Sequence, residues 1–172
     1  TDATVAPADL EAALSRAVDV SFNAVCVDND MSTSDTLLVL ANGAAGLPAL
    51  APDSADFRAF EAGLQAVCTH LAQALVRDGE GVTKFVEIQV EGAPTDADAR
   101  TIARAVAKSD LVKTAFYGED PNWGRIACAA GYSGVTFDPE ELAIWLGSVK
   151  VLEREMDRLR RSLFTTMFAE DW

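Results

Sequence analysis

The chain has 172 residues, 49% hydrophobic and 24% charged, a length and balance that suit one globular domain burying roughly two-thirds of its unfolded surface. Its 14 basic and 27 acidic residues leave a net charge of −13. With no basic stripe to displace counterions, nucleic acid and anionic membranes are excluded as natural partners, and a ligand carrying positive charge fits better.

TDATVAP, at residues 1–7, is not a signal peptide, and no apolar run in the chain approaches membrane-spanning length. Pro7 opens a helix whose stripe of Leu10, Leu14 and Val18 reaches toward Phe22. The short apolar runs Ala24–Val27 and Leu37–Leu40 are predicted to be strands, the second closed by Asn42-Gly43. Between them, DNDMSTSDT (28–36) carries Asp28, Asp30 and Asp35 at spacings that superficially suit calcium. The central glycine and closing glutamate of a calcium loop are missing, and Asx and Ser/Thr turns explain the composition better.

After a proline-containing loop, Asp53 or Ser54 caps the strongest predicted helix, with Phe57, Phe60, Leu64, Val67, Leu71 and Leu75 as its core-facing stripe. It ends near Gly79, expected to be its left-handed terminator. In RDGEGVTK (77–84), Glu80 stands between two glycines close to a helix C-terminus, where a carboxylate opposes the helix dipole by about 0.3–1 kcal/mol. It is mildly misplaced for structure alone and calls for a cation, which a ligand ammonium could supply. Gly81 suits a bulge or a close approach of backbone to ligand.

From Thr83 the period becomes two, with Val86, Ile88 and Val90 on one face and Glu87, Gln89 and Glu91 on the other. Thr95 or Asp96 caps a third helix reaching about Ser109. In GEDPNWGR (118–125), Asp120-Pro121 favours a tight turn, Asn122 can cap a helix ending at Gly131, Arg125 can clamp a carboxylate, and Trp123 is expected to plug the core. Leu142–Leu146 is a predicted strand. Leu152, Met156, Leu159, Leu163 and Met167 then form a stripe that predicts an amphipathic helical tail over 148–172. The odd, widely spaced Cys26, Cys68 and Cys128 predict reduced core thiols in a cytoplasmic protein, and the lone His70 argues against structural zinc. No repeat or linker marks a boundary, so residues 1–172 are expected to form a single α+β domain.

STSDTLLVLANGAAG (32–46), DGEGVTKFVEIQVEGA (78–93), ARAVAKSDLVKTAFYGEDPNWGRIACAAGYSGV (103–135) and FDPEELAIWLG (137–147) follow one another in an order that resembles the beta chain of the bifunctional ornithine acetyltransferase/glutamate N-acetyltransferases of arginine biosynthesis. The resemblance implies a layered sheet-and-helix fold akin to N-terminal-nucleophile architecture. It also implies a precursor that cleaves itself between an alanine and a threonine, giving alpha and beta chains that stay together and dimerise further into a heterotetramer. The new N-terminal threonine takes acetyl from N-acetylornithine and passes it to glutamate, with its own amine available as base. No metal or organic cofactor is implied, and acetyl-CoA as a further donor is left open. Glu80 matches the family's substrate-binding glutamate, acting through the ornithine α-amino group.

The family's nucleophile opens an Ala-Thr-Met-Leu motif, and a Thr-Asp-Ala follows several residues later. Thr1-Asp2-Ala3 matches the later motif, so the nucleophile is expected upstream and no catalytic residue is assigned within residues 1–172. The family-like part is expected to end near Gly147, with KVLEREMDRLRRSLFTTMFAEDW (150–172) divergent. Two other readings stand beside this one: an inactive beta-chain fragment serving as an interaction module, and a related N-terminal-nucleophile acyl hydrolase or aminopeptidase.

Overall fold

A computed structural model of the chain describes residues 1–153 and 163–169. They group into two compact units, one of Thr1–Val25 with Asp30–Asp78, the other of Cys26–Asn29 with the described residues from Gly79 onward. No composition shift in the sequence announces that division.

In the first unit, α1 spans Pro7–Asp19 and α2 spans Ala55–Arg77. Pro7 is tolerated in the first turn because an N–H there has no helical acceptor. The helices pack together, with the small side chains Ala13 and Ala17 of α1 and Cys68 and Ala72 of α2 buried. Arg16 Nε donates to Glu61 Oε1 at 2.8 Å across the pair. Ser54 is the N-cap of α2, its hydroxyl accepting from the Phe57 N–H at 3.0 Å. Ser54→Ala is expected to lower stability by about 1 kcal/mol, read as a lower urea midpoint. An unchanged midpoint would mean water replaces the cap without loss.

The predicted stripe of α2 is only half right. Phe57 is buried and Leu64 half-buried, but Val67, Leu71 and Leu75 are exposed and the buried positions continue through Cys68 and Ala72. Two apolar stripes run along this helix, and periodicity alone does not say which one meets α1.

The second unit is a four-stranded sheet carrying helices, an α+β arrangement. Its strands are β1 (Val86–Glu91), β2 (Leu142–Leu146), β3 (Val149–Leu152) and β4 (Leu163–Ala169), in the order β1-β4-β2-β3. β4 is antiparallel to β1, with Val86 opposite Ala169, and parallel to β2, with Leu142 opposite Leu163. β2 and β3 form a hairpin. The helices α3 (Asp96–Lys108), α4 (Asp110–Tyr117) and α5 (Trp123–Gly131) supply the rest of the core. Ile102, Val106, Val112, Ile126, Ala129, Ala130, Leu142 and Ile144 are buried together, with Val86, Ile88 and Val90 of β1 against them. The alternation of β1 is as its sequence predicts, Glu87, Gln89 and Glu91 lying exposed.

Four local expectations are corrected. Ala24–Val27 is not a strand: Phe22–Ala24 is a 3-10 turn, and the Val27 carbonyl accepts from Lys113 Nζ. Leu37–Leu40 joins no sheet among the described residues. The tail is not one amphipathic helix, because Leu152 lies in β3 and Leu163–Ala169 is a strand; residues 154–162, with Met156 and Leu159, lie outside the described residues. LFTTMFA is rich in aromatic and β-branched residues, and sheet pairing on both edges outweighs its apparent helical spacing. Finally, a separate helix α4 follows where the sequence pattern stops at about Ser109, since Ser109 ends α3 and also caps α4, its hydroxyl accepting from the Val112 N–H at 3.4 Å.

Candidate functional site

Glu80 sits on a tight turn. The helix α2 ends at Arg77, and its C-cap Asp78 donates N–H to Ala74 O at 3.0 Å. A β-turn follows, in which the Val82 N–H donates to Gly79 O at 3.1 Å. Glu80 and Gly81 occupy its two central positions, and Gly81 has φ +69°, the sign the third residue of a type II turn requires. The left-handed glycine is therefore Gly81 and not Gly79, because Asp78 already closes the helix with φ −94° and leaves the reversal to the turn.

A Cβ built on Gly81 meets nothing within 4 Å, so its glycine is needed for backbone conformation and not for space. Gly81→Ala is accordingly expected to cost about 1–2 kcal/mol with no clash to relieve. Gly81→Asn, whose side chain tolerates this region better, should cost measurably less; equal costs would point to some other role for the glycine.

The Glu80 side chain is exposed and has no protein cation within ion-pair distance among the described residues. Four residues on, Lys84 keeps only 9% of its side chain exposed and binds Glu119 Oε1 at 3.1 Å. This pair joins the strand-leading segment after Glu80 to the loop between α4 and α5.

Glu119 has φ +55°, a region costly for a residue with a Cβ, by about 1–3 kcal/mol. The neighbouring Gly118 stays right-handed at φ −84°. The loop is closed by backbone bonds from Glu119 N–H to Phe116 O at 3.1 Å and from Asp120 N–H to Ala115 O at 2.9 Å. An exposed carboxylate gives an ion pair modest strength, so what this one contributes is placement. Nothing in the sequence linked positions 84 and 119, although both lie in the most motif-like segments.

In the rest of GEDPNWGR, Asn122 is the N-cap of α5 as expected, its side chain accepting from the Arg125 N–H at 3.2 Å. Among the described residues Arg125 meets no carboxylate; it donates to Leu111 O at 2.9 Å and Thr114 Oγ1 at 3.2 Å, tying α5 to α4. Trp123 opens α5 with 45% of its surface exposed and does not plug the core. Gly131 is the last helical residue of α5, and Tyr132 takes the C-cap position.

Among the cysteines only Cys68 is buried, and burial raises its thiol pKa; Cys128 is exposed. His70 lies exposed on α2. In 28–36, the Ser34 N–H donates to Ser32 Oγ at 3.0 Å, one of the turns expected there. Among the described residues no cluster of His, Cys, Asp and Glu could hold a metal ion, and no helix is long and apolar enough to cross a membrane.

Thr1 is placed in the first unit. Its ammonium donates to Leu40 O at 2.8 Å, and its hydroxyl accepts from the Ala3 N–H at 3.2 Å.

Comparison with known proteins bears on what these residues serve. The model of the ArgJ family matches residues 1–170, and so extends past Gly147. The arginine biosynthesis bifunctional protein ArgJ of Symbiobacterium thermophilum is 54% identical over 152 residues, covering 88% of this chain and 38% of that protein. Its namesake in Geobacter sulfurreducens is 50% identical over 153 residues, covering 89% and 39%. The crystal structure of arginine biosynthesis bifunctional protein argJ from Bacillus halodurans superposes with a TM-score of 0.84 at 36% identity, covering 97% of this chain and 84% of that one. The chain thus spans 38–39% of the length of these two curated relatives.

Proposed function

The chain belongs to the ArgJ family, and on that footing we propose that it is the beta portion of an acetyl-transferring enzyme of arginine biosynthesis, working with an alpha portion of the same precursor in the cytoplasm. The hydroxyl of a threonine upstream of Thr1 attacks the amide carbonyl of N-acetylornithine. The amide C–N bond breaks, ornithine leaves with the hydroxyl proton, and the acetyl group stays as an ester on the enzyme. The α-amine of glutamate then attacks that ester, forming N-acetylglutamate and returning the threonine hydroxyl. The working assembly is an alpha/beta pair that dimerises.

Glu80 binds the ornithine substrate through an ammonium. In N-acetylornithine the α-nitrogen is an amide and carries no charge, so the side-chain ammonium is what Glu80 meets before transfer. The α-amino contact belongs to the released ornithine. What supports this role is an exposed carboxylate, without a cation partner among the described residues, on a turn held by the Gly81 conformation. What carries the reading as a whole is the family match over nearly the entire chain.

The test is glutamate-dependent release of ornithine from N-acetylornithine. Residues 1–172 alone are expected to show none, and the full-length gene product is expected to show it. Turnover by residues 1–172 alone would overturn the need for an alpha portion. Ornithine release by the full-length protein that is indifferent to glutamate would make it an acyl hydrolase instead.

A further inference from the structure

A turn places a carboxylate only as well as the chain beside it is held, and small displacements of a binding group are costly. Residues 82–85, between the Glu80 turn and β1, lie in no helix or strand. Sheet pairing begins at Val86, opposite Ala169. Before it, Lys84 fixes this segment to the helical layer: its side chain is 9% exposed and its ammonium meets Glu119 Oε1 at 3.1 Å. From Glu80 to Lys84 is at most about 14 Å of extended chain.

The far end of the pair is rigid. The Glu119 N–H donates to Phe116 O at 3.1 Å, and the Asp120 N–H donates to Ala115 O at 2.9 Å, tying the loop back to α4. Asn122 donates its backbone N–H to Asp120 O at 2.7 Å and its Nδ2 to Asp120 Oδ2 at 2.9 Å, and it also caps α5. Glu119 is thus a post set between two helices.

Two unfavourable terms accompany the contact. Taking the Lys84 ammonium out of water is costly, and a carboxylate that stays 73% exposed offsets little of that cost. Glu119 also holds φ +55°, although the loop has a glycine one position earlier that stays right-handed. A loop that did no more than join α4 to α5 would be more stable with its glycine in the left-handed position. Strain of this kind persists where a placement is needed.

We propose that Lys84 and Glu119 are positioning residues for the Glu80 carboxylate. Their pair anchors the segment leaving the Glu80 turn to the loop ahead of α5, and so fixes where that carboxylate meets the substrate ammonium. This rests on the reading of Glu80 as the residue that binds the ornithine substrate. In this role neither partner touches substrate, and glutamate, whose side chain ends in a carboxylate, offers Glu80 no side-chain ammonium. Loss of the pair is therefore felt by one substrate and not by the other.

Glu119→Gln in the assembled enzyme tests this, because it removes charge from an exposed side chain and keeps its length. The kcat/KM for N-acetylornithine is expected to fall by roughly three- to tenfold, while kcat/KM for glutamate and the melting temperature stay at the parent values. Lys84→Met, which keeps an apolar stem in the buried position, is expected to show the same selective fall. In a Glu80→Gln background Glu119→Gln is expected to have no further effect, since it acts through Glu80. A full effect in that background would overturn the proposal and leave Glu80 as a substrate residue. A Glu80→Gln enzyme with parent kinetics would overturn the substrate role and this proposal with it. Equal falls for both substrates, accompanied by a lower melting temperature, would make the pair purely structural.

Amide exchange reads the same anchor without activity. The Val82 N–H closes the Glu80 turn on Gly79 O, and in Glu119→Gln it is expected to exchange at least about threefold faster while the core amides stay unchanged. No change at Val82 would overturn the proposal.

Discussion

Glu80→Gln in the assembled enzyme is expected to raise the KM for N-acetylornithine by roughly 10- to 100-fold, the loss of about 1.5–3 kcal/mol from a hydrogen bond to a charged group. Glutamine keeps the shape and most of the hydrogen-bonding capacity of the side chain and removes only its charge. The turn should not notice, because its geometry rests on the Gly79–Val82 bond and the φ of Gly81, and Glu80 is exposed without a protein partner among the described residues. Thermal stability should thus stay at the parent value while KM moves. If KM for N-acetylornithine and turnover both stay unchanged, Glu80 does not bind substrate. A matching fall in stability would instead make it a structural residue.

Ile144→Ala carries the largest stability effect expected here, a loss of about 2–5 kcal/mol. Ile144 has no exposed surface and lies in β2, between β3 and β4, where it meets the side chains of α3, α4 and α5 in one core. Its surroundings are drawn from several elements and cannot all close in on the missing atoms. Ile144→Val removes one methylene and should cost about 0.5–1.5 kcal/mol. Urea unfolding of the two variants separates the cases. An Ile144→Ala loss below about 0.5 kcal/mol would mean that this position behaves as surface and that the sheet does not share the helices' core.

Much of the candidate site was legible from local chemistry. Two glycines around one acid, just past a long helix, singled out Glu80 as a presented carboxylate. The refinement concerns which glycine turns the chain: both fit by residue type, and only the backbone shows Asp78 ending α2 and Gly81 taking positive φ. The Lys84–Glu119 pair was not legible at all, because 35 positions separate its partners and both residues read as ordinary surface charges. By residue type Arg125 suits a carboxylate, but the acceptors it meets are a carbonyl and a hydroxyl of α4, a helix whose cap Ser109 is also the end of α3.

The residues alone determined whatever depends on neighbours within about four positions: helix starts at Asp53 or Ser54 and at Thr95 or Asp96, between which the backbone chose Ser54 and Thr95, the cap at Asn122, the alternation of β1, the helix opening at Pro7, and the run of motifs that marks the family. Each of these is set by a side chain bonding its own backbone or by a period along one element. Tertiary structure decided everything that needs a distant partner. It turned the Cys68 and Ala72 side of α2 inward and left Val67, Leu71 and Leu75 out. It also drew Leu163–Ala169 from an apparent helical stripe into the sheet, where β1 and β2 complete its hydrogen bonds. A helical period and a strand's partners compete for the same residues, and the sheet wins where both edges are waiting.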